Sequence, residues 1–99
     1  MKVKEIIEKI NNGDFTSVWE AEDEVLDNTV EKVASGLEKD SHRWFDVSTN
    51  IYKLEDGFIG ITGVTELKSE YIVWSDCGYY TTACEYEEYT TISYRPKEQ

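Results

Sequence analysis

The stretch 43–61, RWFDVSTNIYKLEDGFIGI, decides the fold of the second half of the chain. Apolar or β-branched side chains occupy every second position of its first part, at Phe45, Val47, Thr49 and Ile51. This period of two predicts a β-strand. Asp56-Gly57 has the residue types of a tight two-residue hairpin turn. We therefore expect a return strand over 58–67, with Tyr52 opposite Ile61.

Shorter apolar and aromatic stretches continue the β-pattern toward the C-terminus. They lie at 71–74, 79–86 and 89–94, and the β-rich half as a whole spans 43–95. The only proline, Pro96, follows the last of them, where its missing N–H removes no sheet hydrogen bond. The pattern predicts an antiparallel sheet of about four strands.

The N-terminal residues have helical spacing instead. Apolar side chains recur at i, i+3, i+4 and i+7, at Val3, Ile6, Ile7 and Ile10. This spacing predicts a helix over 3–11, which Asn12-Gly13 ends because glycine accepts the left-handed conformation of a helix terminus. The chain therefore begins with one short amphipathic helix.

A second helix is predicted over 17–37. Ser17 and Glu20 have the spacing of a capping box at its start. Apolar residues share one broad stripe at 100° per residue: Val18, Trp19, Val25, Leu26, Val30, Val33 and Leu37. Glu22 falls inside this stripe, so it is either a rim residue or a sign that the helix bends near Asn28. Ser35-Gly36 is a plausible stop, and the alternative is a helix that continues to about Lys39.

These elements predict one domain over 1–99 in the α+β class. The 99 residues are 39% hydrophobic, enough for one core, and contain no linker or internal repeat. We expect the two N-terminal helices to pack on one face of the antiparallel sheet, since segregated helices and strands give this architecture.

The charge of the chain restricts its partners. Ten Lys and Arg face 21 Asp and Glu, so the formal net charge is −11. Direct binding to nucleic acid or to an anionic membrane is disfavoured, because phosphate contacts need Lys or Arg. Two long windows contain no Lys or Arg at all, 10–31 and 69–94, and together they hold twelve of the acids. We interpret these windows as partner-binding surfaces, with a purely solvated acidic surface as the alternative.

Within the first window, four acids have helical spacing: Glu20, Glu24, Asp27 and Glu31. On a helix they form one ridge opposite the apolar stripe. Such a ridge is unfavourable for helix stability by roughly 0.2–0.5 kcal/mol per like-charged pair, which favours a functional interpretation. One strand of DNA carries a charge about every 3.4 Å, and the ridge imitates that row more sparsely.

The second window combines acids with tyrosines. The predicted partner-binding residues here are Glu85, Tyr86, Glu87, Glu88 and Tyr89. Tyrosine is a good interface residue because it offers apolar area and a hydroxyl at low entropic cost. Ordinary cross-strand aromatic pairing is the alternative interpretation.

Other function classes have little support in the sequence. No apolar run approaches the roughly 18–20 residues of a membrane span, and residues 1–8 lack a signal-peptide apolar core, so we expect a cytoplasmic protein. Cys77, Cys84 and His42 are too few for a zinc site unless carboxylates or a second subunit contribute ligands, and the two cysteines are expected as free thiols, with a disulfide across a hairpin as the alternative. We predict no metal, no cofactor and no enzyme, although a small enzyme using His42 or Cys77 stays a third hypothesis.

The chain resembles the small acidic anti-CRISPR proteins of phages and mobile elements. The resemblance covers the opening helix 3–10, the acidic segment 18–35 and the stretch EYEEY at 85–89, and 43–96 looks like phage accessory proteins. It implies a protein of the bacterial host cytoplasm that blocks the nucleic-acid channel of an RNA-guided CRISPR nuclease with its guide RNA. The competing hypothesis is a non-enzymatic interaction module or homodimer that uses the tyrosine-rich sheet.

Overall fold

Two helices precede a five-stranded sheet in the computed structural model, which describes residues 2–74, 81–88 and 94–97. The elements are α1 (Val3–Asn11), α2 (Val18–Val25), β1 (Glu31–Ser41), β2 (Phe45–Leu54), β3 (Gly57–Leu67), β4 (Thr82–Glu88) and β5 (Tyr94–Pro96). All strand pairs are antiparallel, and the order in the sheet is β1-β2-β3-β4-β5. The predicted α+β class is confirmed, and the described residues form five strands rather than about four.

The main core lies between the helices and one face of the sheet. It contains Val3, Ile6 and Ile10 of α1, Val18 and Ala21 of α2, Tyr52 and Leu54 of β2, Ile59 and Ile61 of β3, and Ala83 of β4. The apolar spacing of the first helix is thus confirmed, because its i, i+3 and i+7 residues are all buried. Positions of equal parity on each strand face this core.

The predicted helix over 17–37 is wrong beyond residue 25. α2 ends at Val25, and Leu26 is already extended, with φ −92° and ψ 144°. Asp27 Oδ1 then accepts hydrogen bonds from the backbone N–H of Thr29 (3.0 Å) and from its hydroxyl (3.2 Å). This hydrogen-bonded turn is an alternative to a continued helix. Aspartate favours such turns because its carboxylate accepts hydrogen bonds from nearby backbone N–H groups. Residues 31–41 form β1 instead.

The register of the β2–β3 hairpin differs from the prediction by two residues. Tyr52 pairs with Ile59 rather than Ile61, and Leu54 pairs with Gly57. The turn residues are Glu55 and Asp56, neither of which has a positive φ, whereas Gly57 has φ 157°. A type I′ turn needs positive φ at both central positions, so Asp56-Gly57 cannot be its centre here. The shift is even, and the predicted faces of both strands are therefore preserved.

The predicted strand over 71–74 is also wrong. These four residues form turn and irregular structure, and Tyr71 and Val73 are exposed. Parts of the strands predicted over 79–86 and 89–94, namely 79–80 and 89–93, lie outside the described residues, as do Cys77 and Tyr89. Cys84, which lies within β4, is a free thiol as expected.

β1 is the most irregular strand of the sheet. Its pairing with β2 changes register three times, after Lys32, Ala34 and Leu37. Two of its residues have positive φ, Gly36 at 69° and Glu38 at 51°. Such bulges bend a strand and increase its twist. The bent strand forms one wall of a cavity on the helix side of β2.

Candidate functional site

The start of α2 is fixed by the predicted capping residues. Ser17 is the N-cap, and its Oγ accepts a hydrogen bond from the backbone N–H of Glu20 (3.1 Å). Glu20 Oε1 in turn accepts from the backbone N–H of Thr16 (3.0 Å). Both bonds satisfy N–H groups at the helix start, and a carboxylate there also interacts favourably with the helix dipole. Glu20 therefore has a structural role besides its exposed charge.

The predicted ridge of four carboxylates does not exist as one helical row. Glu20 and Glu24 lie on α2, whereas Asp27 is in the turn after it. Glu31 is the first residue of β1 and pairs directly with Lys53 of β2, an opposite charge. The physical reason is the early helix end, since helical spacing places side chains together only while the helix continues.

A smaller group of exposed acids remains at α2. We call it the α2 acidic surface and define it as Glu20, Asp23, Glu24 and Asp27, all of them exposed. At 100° per residue the three helical members lie within about 100° of arc, away from the buried Val18 and Ala21. Within the described part of the chain, no Lys, Arg or His side chain lies within 4.0 Å of these carboxylates. Asp23 was not among the predicted site residues, although it lies in the same cation-free window.

Glu22 points the other way and connects α2 to the sheet. Its carboxylate accepts a hydrogen bond from the hydroxyl of Tyr52, which is only 2% exposed. Burial raises the pKa of that hydroxyl above its usual value of 10.0, and the bond to Glu22 raises it further. Lys32 Nζ lies 3.1 Å from Glu22 and 4.8 Å from the ring centroid of Trp19. Glu22 is thus half-buried between Tyr52 and Lys32. These two partners explain how a carboxylate can occupy a position within the predicted apolar stripe.

The acids of β4 differ from those of α2 because most of them are paired. Arg95 of β5 donates to Glu87 (2.9 Å), and Lys97 lies 3.3 Å from Glu85. Arg95 and Lys97 follow the second cation-free window in the sequence. The antiparallel pairing of β5 with β4 places them beside the acids of β4. Glu88 is exposed. The expected second row of free charge is therefore largely neutralised at its described positions.

Tyr86, predicted as a partner-binding residue, is buried and only 4% exposed. Its ring occupies the space beside Gly60, and its hydroxyl lies 3.3 Å from Glu38. Burial, followed by the charge of Glu38, raises the pKa of Tyr86 to about 12. Burial also raises the pKa of the neighbouring Cys84 thiol, which lowers its reactivity. Tyr86 is therefore not on the accessible surface that the prediction assumed.

Cationic residues from neighbouring segments of the chain lie near the N-terminal end of β2. Asp46, which is 3% exposed, lies 3.0 Å from Lys68 and 3.3 Å from Lys39. The hydrogen bond to Lys68 is the main reason why the pKa of Asp46 is lowered. Arg43 lies over the ring of Trp44 (4.7 Å), and Trp44 is 46% exposed. Lys39, Arg43 and Lys68 thus lie near this end of β2, whereas the α2 acidic surface has no cation within 4.0 Å among the described residues.

No protein-family model matches the chain, and neither a curated protein nor a solved structure is significantly similar to it. Among the described residues, no group of three His, Cys, Asp or Glu side chains is arranged to hold a metal ion. The helices of the described part are all too short and too polar to cross a lipid bilayer.

Proposed function

We propose that the protein is a non-enzymatic inhibitor that binds a basic, nucleic-acid-binding protein through the α2 acidic surface. The observation that carries this proposal is the lack of pairing: four exposed carboxylates within eight residues have no cation within 4.0 Å in the described structure. Glu22, Asp46, Glu85 and Glu87 have such a partner. The exposed Glu5 and Glu8 of α1 also have none among the described residues, but Lys4 and Lys9 stand next to them in the sequence, whereas the α2 acids lie in a window without Lys or Arg. Like charges left close together repel one another, and a cationic partner removes that repulsion.

The partner class follows from charge and from the resemblance to anti-CRISPR proteins. A protein site that binds phosphates carries clustered Lys and Arg, and a carboxylate surface competes for the same cations. The class of partner proposed is an RNA-guided CRISPR nuclease with its guide RNA, whose nucleic-acid channel the α2 acidic surface would occupy as a DNA mimic. Association would be fast and sensitive to salt, as for other electrostatically complementary pairs.

The test compares two charge-reversal variants in an assay of target DNA binding and cleavage by basic nucleic-acid-binding proteins, CRISPR nucleases included. Asp23→Lys with Glu24→Lys reverses two unpaired charges of the α2 acidic surface. Glu5→Lys with Glu8→Lys is the matched control, because it makes the same change of charge on exposed positions of α1. We expect the native protein and the α1 variant to inhibit and the α2 variant to lose inhibition. Equal inhibition by both variants, or no inhibition by the native protein, would contradict the proposal.

A second candidate function is an interaction module or homodimer. It is favoured by three exposed side chains near one end of the sheet: Trp44 at 46%, Tyr71 at 90% and Val73 at 56% exposure. Aromatic residues are enriched in the buried centres of interfaces. Light scattering over a range of concentrations tests this function. A dimer that Tyr71→Ser dissociates supports it, and a monomer at high concentration excludes self-association.

A further inference from the structure

Polar side chains occupy three successive core-facing positions of the interior strand β2. Asp46, Ser48 and Asn50 are only 3%, 3% and 1% exposed, and all three lie on the same side of the sheet as the buried Tyr52. Burying polar groups costs free energy unless their hydrogen bonds are made, and apolar residues would be the default at such positions. These three side chains meet that requirement with ion pairs and hydrogen bonds, and two of them, Ser48 and Asn50, also line a cavity.

The cavity lies between α2, the bulged part of β1 and this row. Its volume is about 260 Å³, and its lining includes Trp19, Lys39, Ser48, Asn50, Thr65 and Glu66. Ligand pockets in proteins begin at roughly 300 Å³, so the occupant must be small. The indole N–H of Trp19 donates to the carbonyl oxygen of Thr65 (3.0 Å), which fixes the ring at the cavity wall.

The hydrogen-bonding capacity of the cavity lies mainly in hydroxyl groups. Ser48 Oγ and Thr65 Oγ1 are 2.8 Å apart, so one hydroxyl donates to the other, and the pair keeps a second hydroxyl proton and free lone pairs. The amide of Asn50 is more fully used: Oδ1 accepts from the N–H of Gly36 (3.1 Å), and Nδ2 donates to Tyr52 (3.5 Å). One amide proton remains for a ligand. Groups that donate or accept as needed suit a partner that is itself rich in hydroxyls.

The charges at the cavity rim favour a neutral ligand. Lys39 already forms an ion pair with the buried Asp46 (3.3 Å), and Glu66 is exposed at the rim. An anion would therefore meet a neutralised lysine and an unfavourable carboxylate. Lys32 Nζ lies over one face of the Trp19 ring, 4.8 Å from its centroid, which leaves the opposite face as the apolar wall that attracts weakly positive C–H groups.

We propose that this cavity binds a neutral, polyhydroxylated molecule of monosaccharide size. Its hydroxyls bond to Ser48, Thr65 and the free amide proton of Asn50, and its C–H groups pack against Trp19. The site is separate from the α2 acidic surface, although Trp19 and Glu20 are neighbours on the same helix. The ligand therefore binds close to the proposed protein interface.

The test is an NMR titration of the full-length, ¹⁵N-labelled protein with D-glucose, D-galactose and N-acetyl-D-glucosamine at millimolar concentrations. The indole N–H of Trp19 and the side-chain amide of Asn50 are the reporters. We expect a saturable shift of both signals with at least one sugar, and binding about tenfold weaker in Ser48→Ala and in Thr65→Val, each of which removes one hydroxyl. Thr65 is only half-buried, so its variant remains informative if Ser48→Ala does not fold.

Two controls make the outcome specific. Thr82→Val removes an exposed hydroxyl on β4, away from the cavity, and should bind as the native protein does. Adenine, which has no hydroxyl groups, should give no saturable shift. The proposal is overturned if no sugar gives saturable shifts, if adenine binds as tightly as the sugars, or if the folded Ser48 and Thr65 variants bind with unchanged affinity.

Discussion

The side chain of Asn11 and the backbone of Ala83 exchange two hydrogen bonds. Asn11 Nδ2 donates to the carbonyl oxygen of Ala83 (3.0 Å), and the N–H of Ala83 donates to Asn11 Oδ1 (2.8 Å). Ala83 pairs with Ile61 on one side, while the described residues of β5 pair with β4 only from Tyr86 onward. The amide at the end of α1 therefore takes the place of a neighbouring strand.

We expect Asn11→Ala to lower the free energy of unfolding by about 1–3 kcal/mol, because it leaves a donor and an acceptor of β4 without their partner. Denaturation in urea measures this change. Asn12→Ala is the matched control, since the side chain of Asn12 is exposed and makes no hydrogen bond within the described structure. Equal stability of the two variants would show that the paired bonds contribute nothing.

Tyr52→Phe should cost about 1.5–3 kcal/mol at neutral pH, because it removes a hydrogen bond to a charged carboxylate. The substitution should also change how steeply the free energy of unfolding decreases at alkaline pH. The pKa of Tyr52 is raised above 10.0 in the folded protein, so its contribution is complete below about pH 10 and is lost as the pH rises further. The variant should therefore lose less stability than the native protein above pH 10.

Tyr71→Phe is the control for this alkaline effect. Tyr71 is 90% exposed, so removal of its hydroxyl should leave both the neutral stability and the alkaline slope unchanged. Some alkaline loss should persist in Tyr52→Phe, since the pKa of Tyr86 is also raised, to about 12. Parallel alkaline curves for the native protein and Tyr52→Phe would contradict the prediction.

The ion pairs of Asp46 predict that the free energy of unfolding decreases at acidic pH. Its pKa is lowered below 3.8 in the folded state, so its stabilisation is present above about pH 4 and is lost as the pH falls through the folded value. Asp46→Asn should be less stable than the native protein at neutral pH, and the difference should narrow in acid. Thermal denaturation at several pH values measures it. Asp23→Asn, an exposed carboxylate, should retain native stability at neutral pH.

Gly60 and Gly36 should respond to alanine for different reasons. A Cβ at Gly60 would overlap the ring of Tyr86, so Gly60→Ala should cost about 1–3 kcal/mol and the cost should shrink when combined with Tyr86→Leu.

A Cβ at Gly36 meets no atom within 4 Å, but its φ of 69° penalises any side chain. Gly36→Ala should cost about 1 kcal/mol, and Tyr86→Leu should not change that cost. Urea denaturation of the single and double variants tests both statements.

The elements that sequence patterns predicted well are those with several independent signals. α1 has clear apolar spacing, although Gly13 does not take the predicted left-handed φ, and β2 combines alternation with the nearby Asp56-Gly57 turn signal, which placed the hairpin but not its register. The second helix was predicted too long because the apolar stripe continues into β1, where the same residues satisfy either period. The local turn at Asp27 and the glycine at position 36 were the signals against it.

The candidate site was predictable in charge but not in geometry. The cation-free windows in the sequence identified the acids of the α2 acidic surface, which have no cation within 4.0 Å in the described structure, whereas Glu22 of the same helix is paired with Lys32. They did not identify the pairing of Glu85 and Glu87, because Arg95 and Lys97 reach them only through the β4–β5 pairing. The contact between Glu22 and Tyr52 joins residues thirty positions apart, a separation that no local pattern reveals.

The bulges of β1 have a consequence for the behaviour of the protein at high concentration. β1 is an edge strand of 11 residues, long enough to template pairing with another molecule. Its broken register and the positive φ values of Gly36 and Glu38 prevent it from presenting a straight, continuous row of N–H and C=O groups. The irregular strand thus disfavours the addition of a strand from another molecule at this edge, and with it the formation of intermolecular β-aggregates.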